Sequence, residues 1–86
     1  MAISKEEVAR RVKEVTARVL NIDADKIQPK NTFSGDLGAE SIQSIELVAS
    51  FEEEFEIEMD EDEALSVTNV AKAIDFIYDT CVKQGK

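Results

Sequence analysis

Apolar residues recur along this chain every three to four positions in three places, and each place reads as an amphipathic helix. Val8, Val12, Val15 and Val19 fall four, three and four apart, Leu20 extends the stripe, and Lys5, Arg10, Arg11, Lys13 and Arg18 lie largely off it. Ser4 and Glu7 form an S-x-x-E capping box, with Ile3 and Val8 placed for the hydrophobic staple around it. The pattern predicts a helix from about Lys5 to Leu20. A second is predicted from about Ser41 to Phe55, where Leu47, Val48, Phe51 and Phe55 share one arc about 100° wide. In the last, opened by Thr68 or Asn69, the stripe is Val70, Ala73, Ile74, Ile77 and Cys81, flanked by Phe76 and Tyr78. Residues 84–86 read as a frayed tail. Residues 56–68 are dense in acid and leave room for one short helix, roughly residues 60 to 65, that Asp60 can cap.

Residues 21–40 lack such a period. A connection of that length is unusual in a small domain and is usually functional. Ile22, Ile27, Phe33 and Leu37 are spaced as anchors onto the core, with turn chemistry at Asn31-Thr32 and Ser34-Gly35-Asp36. Asp23-Ala24-Asp25 looks like the start of a calcium loop but lacks the later glycine and glutamate, so an EF-hand is rejected. The expected fold is all-α: a four-helix bundle with three longer helices, one short helix and a long loop between helices one and two, formed by residues 1–86 as a single domain.

The second helix breaks its own pattern. Ile42 and Ile45 lie far from the core arc, among Glu46, Glu52, Glu53 and Glu56. Beside Ala49 and next to Ser41, that apolar pair ringed by carboxylates reads as a partner contact. Ser41 stands where loop becomes helix, where free backbone N–H groups and the positive end of the macrodipole favour a bound anion such as phosphate. From the residues alone, the commoner reading of Ser41 is a plain N-cap, worth ~1 kcal/mol. Ser44 is a poorer attachment point, because it falls toward the core face.

Charge sharpens this picture. Of a formal net charge of −9, residues 31–71 hold twelve Asp and Glu and no Lys or Arg, while residues 1–30 hold seven basic and five acidic groups. A one-sign acidic field repels nucleic acid and steers basic partners. With one cysteine and no histidine, the chain has no internal disulfide, no Cys/His zinc site and no His-based triad. Cys81 reads as a small buried apolar residue rather than a reactive thiol. No apolar run is long enough to cross a bilayer, and the first seven residues carry no signal-peptide h-region. The expectation is a cytoplasmic monomer that binds neither nucleic acid nor membrane.

Asp36-Leu37-Gly38-Ala39-Glu40-Ser41-Ile42, followed by Ile45-Glu46-Leu47-Val48 and Phe51-Glu52-Glu53-Glu54-Phe55, resembles the acyl carrier proteins. The similarity continues through Ile57 and Asp60 to Ala64, and through Val67-Thr68-Asn69-Val70 and Ala73-Ile74-Asp75-Phe76-Ile77. The resemblance implies that Ser41 carries 4′-phosphopantetheine, derived from coenzyme A, as a phosphodiester, and that acyl chains ride on its terminal thiol as thioesters. It implies a carrier without catalytic residues or a metal, for fatty-acid, lipid or polyketide-type biosynthesis. Its partners would be a phosphopantetheinyl transferase and acyl-processing enzymes with basic docking patches. They would meet Glu40, Ile42, Ile45, Glu46, Ala49, Glu52 and Glu53, with Met59 and Glu61 at the edge. Phe33, Leu47, Phe51, Leu65 and Ile74 are the expected walls of a space for the acyl chain.

Two neighbours of Ser41 depart from the family pattern: Glu40 stands where aspartate is usual, and Ile42 where leucine is usual. Glutamate caps a helix less well than aspartate, which leaves the cap to Ser41 itself. Phe51 is larger than the aliphatic residue common at its position. These departures point to a specialised carrier. An unmodified adaptor of the same fold, binding a basic partner, is the alternative; a small hydrolase or metal-binding helical protein is remote.

Overall fold

A computed structural model describes residues 2–86. Its helices are α1 (Lys5–Leu20), α2 (Ser41–Phe55), α3 (Glu61–Leu65) and α4 (Val70–Lys83). No strand forms among the described residues, only an isolated antiparallel bridge between Thr32 and Asn69. The architecture is the all-α bundle that the periodicities predict. α1 packs against both α2 and α4, and α3 packs against α2.

The valine stripe explains the central place of α1. Val8, Val12 and Val15 are buried, and each such side chain contributes about 1.5–3 kcal/mol when fully removed from water. Facing them are Leu47, Phe51 and Phe55 from α2, and Val70, Ala73, Ile74, Ile77 and Cys81 from α4. Cys81 is fully buried, and that burial pushes its thiol pKa up, so it stays neutral. Thr16 is also fully buried, and its Oγ1 has no hydrogen-bond partner.

Caps set the helix limits. Ser4 Oγ accepts the Glu7 N–H at 3.1 Å, but the Glu7 carboxylate pairs with Arg11 at 3.3 Å instead of completing the capping box. Asn21 ends α1 in the left-handed region at φ 56°, which asparagine tolerates, and donates its N–H to Ala17 O. Asp60 and Asn69 cap α3 and α4 through their side chains. At the far end of α2, Arg11 donates Nε to Glu54 Oε2 at 2.7 Å and Nη2 to the Glu54 carbonyl, and lies 4.6 Å from the centre of the Phe55 ring. One α1 side chain thus ties down the last turn of α2.

The long loop is more ordered than its composition indicates. Residues Ala24–Lys26 form a 3-10 turn, capped by the Asp23 carboxylate on the Asp25 N–H. This is the structural role of the two aspartates that resemble the start of a calcium loop. Ile27 and Phe33 are buried as anchors, while Ile22 and Leu37 pack against the core half-buried. The Val70 and Ala71 N–H groups donate to Asn31 O and Pro29 O, which joins the loop to the start of α4.

Candidate functional site

The loop delivers α2 through a short run of backbone constraints. Thr32 and Asp36 close a turn on each other: Asp36 Oδ2 accepts the Thr32 N–H at 2.8 Å, and Thr32 Oγ1 accepts the Asp36 N–H at 3.0 Å. Gly35 sits inside this turn, where an added Cβ would come 2.7 Å from Thr32 Oγ1. Phe33 is pinned from both sides, by its own N–H on Thr68 O and by the Ala39 N–H on its carbonyl at 2.8 Å. Gly38 takes φ +73°, a turn that favours glycine, and the chain then extends into Glu40.

The cap differs from the sequence expectation. Glu40, at φ −81° and ψ 166°, occupies the N-cap position, and Ser41 is the first helical residue. Gln43 makes this arrangement work, because its side-chain Oε1 reaches back to the Glu40 N–H at 2.9 Å. The Ser41 hydroxyl is therefore not needed for the cap. The first N–H of the helix to meet an intrahelical carbonyl is that of Ser44, on Glu40 O at 3.0 Å. The Ser41 and Ile42 N–H groups come before it, at the positive end of a fifteen-residue helix. Ser41 itself is exposed.

The outer face of α2 follows the helical wheel. Ile42 is 65% exposed and Ile45 50%, with Glu40, Glu46, Ala49 and Glu53 exposed around them. Glu61 is exposed at the start of α3. Two residues expected on this face are partly committed to the fold. The Glu52 carboxylate accepts the Met59 N–H at 3.0 Å and is half-buried, and Met59 is half-buried against the core. Leu65 was not expected on the surface, yet it too is exposed.

Under this face lies a cavity of about 130 Å³ between α2, α3, α4 and the loop. Phe33, Leu47, Phe51 and Leu65 line it as the sequence predicts. Ile74 does not: it is buried elsewhere, and Ala73, Phe76 and Ile77 form the α4 wall. Those three share a helical face at spacings of three and four, and Ile74 is rotated off it. Ser44, one turn below Ser41, also lines the cavity.

The family model described as "Phosphopantetheine attachment site" matches residues 10–77, from within α1 through most of α4. The chain belongs to that family.

As a member of the phosphopantetheine attachment family, the chain is a carrier domain of the acyl-carrier type, and its cofactor is covalently attached 4′-phosphopantetheine. The residues present fit such a group. An exposed primary hydroxyl not consumed by the cap stands beside backbone donors that suit a phosphodiester. Domains of this family carry intermediates for other enzymes and are not themselves catalytic; their partners in general are phosphopantetheinyl transferases and acyl-processing enzymes. Among the described residues, no group of three or more His, Cys, Asp or Glu is placed to hold a metal. No described helix is long and apolar enough to cross a membrane.

Proposed function

We propose that Ser41 is the attachment residue and that the 86 residues act as one carrier domain, delivering acyl intermediates to partner enzymes of fatty-acid, lipid or polyketide-type biosynthesis in the cytoplasm. The carrying observation is the position of Ser41: an exposed hydroxyl on the first residue of α2, left free because Gln43 closes the cap. When bound, the group supplies a flexible arm ending in a thiol that holds acyl chains as thioesters. The chain's own part is positional. Glu40 and Gln43 hold the backbone that presents Ser41, and the Ser41 and Ile42 N–H groups offer hydrogen bonds to phosphate oxygens.

The exposed face of α2 is the proposed docking surface. Ile42, Ile45 and Ala49 offer an apolar centre, with Glu40, Glu46, Glu53 and Glu61 as a carboxylate rim. Glu52 and Met59 border it. A surface of this kind suits enzymes with a basic patch beside the active-site mouth, and its contacts are fast and salt-sensitive. The protein acts as a monomer in this reading, and Glu40 and Ile42 tune which enzymes recognise Ser41.

The test is intact-mass measurement after incubation with coenzyme A, magnesium and a phosphopantetheinyl transferase. Wild type and Ser44→Ala gain one phosphopantetheine; Ser41→Ala gains nothing. If several competent transferases leave wild-type protein unmodified, the chain is an adaptor and the carrier reading fails. A gain that survives Ser41→Ala moves the attachment point.

A further inference from the structure

The segment between α2 and α3 begins at a strained residue. Glu56 ends α2 at φ 55° and ψ 49°, in the left-handed region that a side chain with a Cβ rarely enters. Such a conformation persists where its surroundings hold it from several sides. Here three successive N–H groups are each tied down: Ile57 to Glu52 O, Glu58 to Gln84 Oε1 at 3.0 Å, and Met59 to Glu52 Oε2 at 3.0 Å. α3 follows directly. It has five residues and buries none of them, so its place depends on the segments that flank it.

Gln84 reaches this segment from the end of α4. Residues 84–86 do not form the frayed tail expected from the sequence. Gly85 takes φ +75°, its N–H reaches Val82 O, and the Lys86 N–H reaches Cys81 O at 2.9 Å. Cys81 is fully buried, so this helix end is fixed to the core. The Gln84 carboxamide then closes a ring on a single residue: it accepts the Glu58 N–H and donates Nε2 to the Glu58 carbonyl at 2.7 Å. A carboxamide carries both the donor and the acceptor that this ring needs, a carboxylate has no donor, and asparagine is one methylene shorter.

We propose that Gln84 is a latch: it holds the α2–α3 segment closed, and its release lets residues 58–65 open as a unit while the bundle stays folded. The force it opposes is on the same segment. Glu56, Glu58, Asp60, Glu61, Asp62 and Glu63 are all exposed, with no basic residue among them, and repel one another. The latch thereby joins the end of α4 to Met59 and Glu61, at the edge of the proposed docking face.

The test is amide hydrogen exchange, read residue by residue by NMR, on the full unmodified chain and on Gln84→Met. Methionine keeps the length and bulk of the side chain and removes both hydrogen bonds. Two exposed hydrogen bonds correspond to about a ten-fold change in the opening equilibrium. The Glu58, Met59 and Ala64 amides are expected to exchange about ten-fold faster, although Met59 and Ala64 donate to Glu52 and Asp60 and not to Gln84. The Val12 and Ile77 amides, in α1 and α4, keep their rates. Glu58→Ala changes a side chain outside the ring and does not speed exchange.

Faster exchange at Glu58 alone would mean that Gln84 covers one amide and latches nothing. An equal rise at Val12 would make Gln84 a general stabilising contact, and unchanged rates throughout would leave it without effect. Each of these three results overturns the proposal. None depends on what Ser41 carries, so failure here leaves the attachment reading standing.

Discussion

Replacing Arg11 by methionine would test how the far end of α2 is held. Methionine keeps most of the apolar stem, so the loss is confined to the guanidinium. That group donates to the Glu54 carboxylate at 2.7 Å, donates to the Glu54 carbonyl and stacks on Phe55 at 4.6 Å. Its side chain is 24% exposed and that of Glu54 28%, so water competes only in part. Burial opposes its charge, and the hydrogen bonds and charges of Glu54 and Glu7 more than offset this, raising its pKa. Charged hydrogen bonds contribute about 1.5–3 kcal/mol and an exposed cation–π contact about 0.5–1 kcal/mol. Rehydration of the freed Glu54 returns some of this, which leaves a net loss of about 2–3 kcal/mol. A domain of this size melts about 4–8 °C lower per kcal/mol, so Tm falls by roughly 10–20 °C. The assay is thermal and urea unfolding of Arg11→Met, Glu54→Gln and the double variant. The expected coupling is about 1–2 kcal/mol and survives 1 M salt in large part. The same cycle on Lys5 and Asp75, whose side chains are 57% and 58% exposed, should show a smaller coupling that salt removes. Coupling between Arg11 and Glu54 below about 0.5 kcal/mol would refute the claim that this contact holds α2 to α1.

Thr16→Val should stabilise the fold by about 1 kcal/mol, because it replaces a buried hydroxyl without a partner by a methyl of similar size; a lower melting temperature would mean the hydroxyl has a role that the fold conceals. Glu46→Lys should weaken acyl-processing partners at low salt without changing the melt, whereas Glu52→Lys should also lower Tm by freeing the Met59 N–H; equal melts for the two would remove the distinction. The raised thiol pKa of Cys81 means that the folded state keeps a proton the unfolded chain loses above about pH 8.5. Its contribution to stability is therefore full below that pH and is lost as pH rises toward the folded value, so urea midpoints should fall less steeply with alkaline pH in Cys81→Ala.

The helices could be read from sequence because their determinants are local. Four valines at helical spacing need only their own helix and something apolar to face, and Lys5–Leu20 and Ser41–Phe55 follow directly. Ile42 and Ile45 were legible for the same reason, since a wheel centred on Leu47 and Phe51 leaves them outside. The loop resisted because its order is non-local: Phe33 is held by Thr68, and Asn31 by Val70, across more than thirty positions. The N-cap resisted for a different reason. Glu40 caps with Gln43 reaching back to its N–H, whereas the sequence pattern of a box names serine or threonine, not glutamate, at its head. Ile74 was misplaced on the cavity wall because a stripe gives the buried arc but not which neighbour each side of the arc meets.

The burial of Cys81 has a consequence for the cargo. A thioester exchanges with any thiolate that reaches it, and the rate follows the fraction of attacking sulfur that is ionised and accessible. The chain's single cysteine is enclosed by α1 and the core and kept protonated by its surroundings. On the proposed function, an acyl thioester on the arm would therefore meet no accessible thiolate on the chain's own side chains. Thiol exchange within the chain, which the high local concentration of a tethered arm would otherwise favour, is closed by the burial of Cys81 and the proton it keeps.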